Sequence, residues 1–174
     1  TLLLHDLDLR QGPAIALVLR FAEVLRQQVH IHTNDRERVL DLMREGARHM
    51  IGTHDFSAMT PVRTKRESMV RTVLRCDVER HLDEIRIDVE GSGFLWRQVR
   101  NMVGTLLEVG RGRWAPEYVA EIIADRSRAK AGPTAPARGL CLQSVRYPPE
   151  LLQPPQAAPL SDADRQTISD ARDA

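Results

Sequence analysis

The stretch Gly91-Ser-Gly-Phe-Leu-Trp-Arg-Gln-Val-Arg-Asn-Met-Val-Gly104 decides how this chain is read. It reads as a glycine turn that opens a two-faced helix. With successive residues about 100° apart, Leu95, Val99, Met102, Val103 and Leu106 fall on one arc. Arg97, Arg100, Asn101 and Gly104 fall on the opposite arc. The apolar arc belongs in a core. The other sets two arginines beside a residue with no side chain, which lets a ligand backbone or another strand come close. A merely solvated helix face is the plainer reading of the same charges.

Working outward, a β-hairpin precedes this helix. Leu74, Cys76 and Val78 alternate on one strand and Ile85, Ile87 and Val89 on the other, across a turn near His81-Leu-Asp83. Further back, Asn34 or Asp35 caps a helix that runs to about Met50. Its buried stripe is Val39, Leu40, Met43, Ala47 and Met50, with Arg36, Arg44 and Arg48 facing outward. Val29-His-Ile-His32 alternates like a strand, and residues 1–28 are aliphatic and ambiguous between strand and helix. Downstream, Pro116 starts a second helix at its favoured first position. A glycine–proline loop from Ala129 to Gly139 leads into a last strand, Leu140 to Tyr147. From Pro148 five prolines fall in a dozen residues, followed by polar sequence, which predicts an extended linker or tail. This order predicts an α+β fold, an antiparallel sheet with helices packed on one face. The expected division is a separate segment 1–28, an α+β domain 29–147 and a tail 148–174.

At 174 residues the chain can bury one core, and aliphatic residues must supply it because aromatics make up only 4%. The net charge of +1 hides an asymmetry: the tail from Pro148 carries five acidic and two basic residues, −3, which leaves +4 on the rest. Arg63, Lys65, Arg66 and Arg71 crowd one stretch against Glu67 alone. Arg126, Arg128, Lys130 and Arg138 have no acid among them. Such patches suit a phosphate backbone, although loops also become basic without one. The heavy use of arginine over lysine suits phosphate too, but GC-rich coding gives the same bias. Cys76 and Cys141 are solitary in strand-like runs and read as two buried thiols in a reducing compartment. No apolar run reaches membrane-spanning length and no signal-peptide pattern is visible. The expected setting is the cytoplasm or the mitochondrial matrix, away from membranes and not secreted.

The wording Gly-x-Gly-Phe-Leu-x-x-x-Val-Arg-Asn-Met-Val-Gly-Thr-Leu-Leu-Glu-Val-Gly, residues 91–110, closely resembles the C-terminal half of the TruA family of tRNA pseudouridine synthases. Ile51-Gly-Thr-His-Asp-Phe-Ser-Ala58 upstream and Ser127-Arg-Ala-Lys-Ala-Gly-Pro-Thr-Ala-Pro-Ala-Arg-Gly-Leu140 downstream agree, in the family's order. The similarity runs from about Val29 to Tyr147. It implies isomerisation of uridine to pseudouridine in tRNA or rRNA without a cofactor. An aspartate attacks, the glycosidic bond breaks, and the base turns and rejoins through carbon. The target base must leave its stack, which costs a few kcal/mol. Arg100 matches the family arginine that pairs with the catalytic aspartate, and a bidentate pair would aim that carboxylate and keep it ionised. The candidate RNA contacts are Arg63, Lys65, Arg66, Arg71, Arg97, Asn101, Lys130 and Arg138, with a solvated loop lysine the plain alternative for Lys130. His54, Asp55, Phe56, Gly93, Phe94 and Gly104 are the candidate structural motif, Asp55 accepting backbone N–H bonds in its turn. In the family two such halves make one subunit with the cleft between them. This chain supplies one half, and a homodimer or a larger ribonucleoprotein assembly is expected.

Two features depart from that pattern. The family nucleophile sits in a Gly-Arg-Thr-Asp motif that does not occur here, and Asp6 and Asp8 in Leu-His-Asp-Leu-Asp-Leu do not resemble it. Truncation is the simplest explanation, since the chain begins at Thr1. The family tyrosine that stacks on the target base belongs to a Tyr-x-Tyr strand expected near Ala14–Arg20, yet the chain's tyrosines are Tyr118 and Tyr147. The chain alone is therefore expected to be inactive. Two classes stay open: part of a tRNA pseudouridine synthase whose nucleophile lies on another segment, or a non-catalytic RNA-binding scaffold or assembly factor, for example of the mitochondrial ribosome. A basic protein-interaction module is a third. The histidines do not make a metal site: His30 and His32 share a strand face and His54 sits beside Asp55, but no third ligand follows at a suitable spacing. Ser57 lacks the turn that a hydrolytic nucleophile needs.

Overall fold

The computed structural model describes residues 16–24, 36–61, 67–82 and 84–147. Among them five strands form one antiparallel sheet, β1 (Ala16–Val24), β2 (Gly52–Asp55), β3 (Val70–His81), β4 (Glu84–Gly91) and β5 (Leu140–Arg146), in the order β2-β3-β4-β1-β5. The helices are α1 (Arg36–Arg48), α2 (Gln98–Gly110) and α3 (Tyr118–Asp125). This is the α+β architecture that the sequence predicts. The strand expected at Val29–His32, the tail from Pro148 and the side chains of Arg63, Lys65 and Arg66 lie outside the described residues.

The hairpin β3–β4 is the spine of the sheet. Strict alternation on β4 buries Ile85, Ile87, Val89 and Gly91, and on β3 Cys76 and Val78 join them. Leu74 departs from the expected pattern: it is 52% exposed, and Val73 is buried instead. The cause is a bulge. Val73 pairs with Gly91 and Arg75 with Glu90, so Leu74 is an extra residue that reverses the inward face. Gly91 closes the bulge, because a Cβ there would stand 2.7 Å from Thr72 O. The turn pairs His81 with Glu84 and places Leu82 in the left-handed region at φ 56°. The outer face of the hairpin is polar, with Arg75 bonded to Asp77 and Glu90, and Arg146 of β5 reaching Glu90 at 2.7 Å.

β1 comes from the segment that the sequence reading set apart. It pairs with β4 from Leu17↔Gly91 to Val24↔Glu84, and with β5 on its other side. The helices cover the apolar face. Leu40, Met43, Ala47 and Met50 of the α1 region are buried, while Val39 is only half-buried. Arg48 is exposed as expected, but Arg44 folds back to donate from Nε to Val78 O at 3.1 Å. α2 buries Val99, Met102, Val103, Leu106 and Val109, and α3 buries Val119, Ile122 and Ile123 in the same cluster. Cys76 is buried, which pushes its thiol up to about 12, whereas Cys141 is exposed on β5, contrary to the expectation of two buried thiols.

Candidate functional site

α2 begins at Gln98, not at the glycines. Gly91 ends β4, residues 92–95 form a loop, and Trp96 and Arg97 form a tight turn. Arg97 adopts the left-handed conformation, φ 59° and ψ 7°, which costs an ordinary residue roughly 1–2 kcal/mol. Buried neighbours hold it there. Gln98 is fully buried, and its Oε1 accepts the Leu95 N–H at 2.8 Å while its own N–H donates to Leu95 O at 3.0 Å. The buried Thr60 donates from Oγ1 to Trp96 O at 3.0 Å. The turn is thus pinned from below, and it displays its two middle side chains outward. Trp96 is 45% exposed, and the Arg97 guanidinium lies 4.3 Å from its ring centroid.

The polar arc of α2 is not a solvated face. Gly104 lets the 131–135 loop of the same chain approach so closely that a Cβ would fall 1.6 Å from Pro133 O. Asn101, expected at an RNA contact, is sealed beneath that loop. Its Nδ2 donates to Met59 O at 2.7 Å, and its Oδ1 accepts Thr134 Oγ1 at 2.6 Å and Arg128 Nη2 at 3.1 Å. Its polar atoms are all used inside the fold, so it is not offered to an outside ligand. Thr105, one helical turn on, donates to Asn101 O at 2.8 Å and accepts the Gly132 N–H at 3.0 Å. Among the described residues no buried side-chain nitrogen or oxygen is left without a partner.

Arg100 stands at the rim of this network. Its backbone and side chain both grip Ala135: Ala135 N–H donates to Arg100 O at 3.0 Å, and Arg100 Nε donates to Ala135 O at 2.6 Å. No carboxylate among the described residues lies within ion-pair distance of its guanidinium. Burial, and then the charge of Arg97, lower its pKa from the usual arginine value.

Three of the four downstream basic residues have partners within the chain, although Arg126, Lys130 and Arg138 remain exposed. Arg126 sits 3.4 Å from Asp55 Oδ2. Arg128 is half-buried, tied to Asn101, Thr134 and Ala131 O, and burial lowers its pKa. Lys130 pairs with Asp125, and that hydrogen bond raises its pKa. Asp125 precedes the cluster in sequence, so counting acids between the first and last arginine missed it. Arg138 is exposed in the turn before β5. Of the upstream cluster only Arg71 is described: it is half-buried and donates to Ser68 O and Val70 O.

His54, Asp55 and Phe56 all make contacts within the fold. His54 Nε2 lies 2.9 Å from Ile51 O, and its ring meets Phe56 edge-on at 5.8 Å. Phe56 is fully buried. Burial raises the Asp55 pKa, but bonds from the Ser57 hydroxyl and N–H, together with Arg126, outweigh it and hold the carboxyl below its ordinary range. Phe94 is half-buried against the core, whereas a Cβ on Gly93 would meet nothing within 4 Å. Trp96, Thr105 and Thr134 carry no periodicity that marks them in the sequence. An aromatic inside a turn, in a chain so poor in aromatics, was the one available signal for Trp96. Nothing local announces that Thr134 reaches Asn101.

Residues 47–148 match the tRNA pseudouridine synthase family. Proteins named tRNA pseudouridine synthase A from Paramagnetospirillum magneticum, Geobacter sulfurreducens and Chlamydia abortus are 48%, 44% and 41% identical over 107, 108 and 108 residues. Each alignment covers 62% of this chain but only 42%, 44% and 40% of the relative, so the chain spans about two fifths of the length of the curated relatives it matches. The matched span contains all of β2, β3, β4, α2, α3 and β5 together with the Asn101 network, and on that footing the chain belongs to the tRNA pseudouridine synthase family.

Proposed function

We propose that this chain supplies the arginine-bearing side of an RNA-binding cleft whose reaction is the isomerisation of uridine to pseudouridine. The observation that carries the reading is Arg100. Its Nε is fixed by Ala135 O, its neighbour Arg97 is another cation, and no carboxylate of the described residues neutralises it. In the reaction the N1–C1′ bond of uridine breaks and a C5–C1′ bond replaces it, with a carboxylate as nucleophile. Arg100 would aim and ionise that carboxylate. Lacking a Gly-Arg-Thr-Asp motif, the chain by itself binds RNA without turnover, and the nucleophile comes from elsewhere. A scaffold role in a ribonucleoprotein, in the cytoplasm or an organelle, is the second reading. The absence of tyrosine from Ala16–Val24 favours it.

The test combines binding and chemistry. The chain is mixed with unmodified tRNA, and pseudouridine is assayed alongside labelled-RNA anisotropy. Salt-dependent binding without turnover is expected, each phosphate contact adding a slope of roughly −0.7 to −0.9 in log affinity against log salt. Arg100→Ala should weaken binding and cost at most about 1.5 kcal/mol of stability, the worth of its one hydrogen bond to Ala135 O. Turnover above background would overturn the inactivity of the lone chain. Binding that ignores both salt and Arg100→Ala would overturn the cleft assignment.

A further inference from the structure

We infer that Thr134 is the positioning residue of Arg100. Its hydroxyl locks the 131–135 loop onto α2 in the register that sets the Ala135 carbonyl against the Arg100 Nε–H. The inference rests on the reading of Arg100 as the arginine of the cleft, and it names what aims that side chain.

The loop runs antiparallel to α2 along one face of the helix. Gly132 N–H donates to Thr105 Oγ1 at 3.0 Å, and Pro133 O crosses Gly104. Thr134 Oγ1 donates to Asn101 Oδ1 at 2.6 Å, and Ala135 closes on Arg100 through both its N–H and its carbonyl. Positions 100 and 104, like 101 and 105, lie one helical turn apart, so these contacts form a continuous rail. Two glycines permit the approach: a Cβ on Gly132 would stand 2.5 Å from Gly104 O, just as one on Gly104 would strike Pro133 O. Missing side chains allow closeness but choose no register, because backbone groups repeat along any chain. In Ala131-Gly-Pro-Thr-Ala135 the single polar side chain is that of Thr134, so the choice falls to its hydroxyl.

The acceptor of that hydroxyl is itself fixed. Asn101 is fully buried, and its Nδ2 donates to Met59 O at 2.7 Å, which settles which end of the amide faces Thr134. Arg128 Nη2 reaches Asn101 Oδ1 at 3.1 Å and Thr134 Oγ1 at 3.3 Å. A guanidinium only donates, so the hydroxyl accepts from Arg128 and commits its own proton to Asn101. One residue on, Ala135 O receives Arg100 Nε at 2.6 Å. The guanidinium is planar, so a fixed Nε bond also fixes the direction of its two Nη groups. Loss of the Thr134 hydroxyl frees this end of the loop, Ala135 O drifts, and the Arg100 fork turns among its rotamers.

Thr134→Val removes the hydroxyl and keeps the shape, whereas Thr134→Ser keeps the hydroxyl. Heteronuclear NMR of the full chain reads the solvent exchange of the Arg100 Nε–H, assigned by its loss in Arg100→Lys. Ile122→Val, a buried change on α3, supplies a loss of stability elsewhere in the core. In the parent the Arg100 Nε–H should exchange slowly. In Thr134→Val it should exchange about 2- to 13-fold faster, the range that one hydrogen bond is worth, and affinity for unmodified tRNA should fall by a similar factor. Thr134→Ser should restore both, and Ile122→Val should leave both at parental values. The inference is overturned if the Nε–H is already unprotected in the parent, or if Thr134→Val lowers the urea midpoint while exchange stays parental. It is also overturned if Ile122→Val speeds exchange as much as Thr134→Val, or if exchange quickens while measurable tRNA affinity is unchanged. A parent that binds no tRNA removes the proposed function, and the exchange measurements still decide the role of Thr134, so the two failures are distinguishable.

Discussion

Replacing Gly104 by alanine sets two effects against each other, and the geometry decides between them. Alanine favours a helix interior over glycine by about 1 kcal/mol, which argues for stabilisation. The new Cβ would fall 1.6 Å from Pro133 O and 2.8 Å from Pro133 C. Both are backbone atoms that cannot swing aside, so the loop must withdraw by roughly 2 Å to restore normal contact. That withdrawal strains the two Arg100–Ala135 bonds and the Gly132–Thr105 bond, each worth about 0.5–1.5 kcal/mol. Overpacking adds a further 1–3 kcal/mol or so. After the propensity gain is subtracted, a net loss of about 1.5–6.5 kcal/mol is expected. Urea unfolding followed by circular dichroism measures it, and Gly93→Ala is the control. Gly93 has open space and no left-handed φ, so alanine there should change stability by no more than about 0.5 kcal/mol. A Gly104→Ala chain as stable as its parent, or equal losses at the two glycines, would refute the reasoning. The Gly104 variant should also bind RNA more weakly, because the displaced loop no longer anchors Arg100.

Other outcomes follow from single sites. Leu82→Asn should stabilise the hairpin by about 0.5–1 kcal/mol, since asparagine tolerates the left-handed turn position and leucine there is 80% exposed; a lowered melting temperature would count against this. Asp55 has a depressed folded pKa, so its stabilisation is fully present above the unfolded carboxyl value of about 3.9 and is lost as pH falls through the lower folded value. The advantage of the parent over Asp55→Asn in chemical unfolding should therefore shrink towards acid pH, and a constant difference would contradict it. A thiol reagent applied to the folded chain should label Cys141 and leave Cys76 untouched until urea unfolds it; rapid labelling of both by mass spectrometry would disprove the burial of Cys76.

Periodicity carried much of the fold. The stripe Leu40–Met43–Ala47–Met50 and the alternation Ile85–Ile87–Val89 came out buried because each is fixed by its own element's repeat. Leu74 did not, because a bulge is set by the partner strand and shifts the inward face without altering the residue pattern. The polar arc of α2 was legible as a place of close approach. What approaches is the chain's own loop, thirty residues on, and a helical wheel has no coordinate for that. The same limit explains Asn101 and Arg128: polar residues look alike in sequence whether they face water or one another. Arg100 is held by the Ala135 carbonyl and Arg97 lies against the Trp96 ring, contacts that no local pattern announces.

The position of β1 constrains the order in which the sheet can be completed. β5 joins the sheet through β1, pairing Ala16 with Arg146, and β1 joins through β4, pairing Leu17 with Gly91. The β3–β4 hairpin is local and closes quickly, but β1 must wait for a partner made some seventy residues later. The last strand must then wait for β1. Loop-closure entropy is spent before these distant pairings return any stability, which slows the final steps. Amide exchange should accordingly show β1 and β5 opening together as one cooperative unit while the hairpin stays protected. A ribosome releasing this chain would hold an unpaired, largely apolar strand in the open until β4 emerges, and in that interval the chain is most exposed to association with another copy.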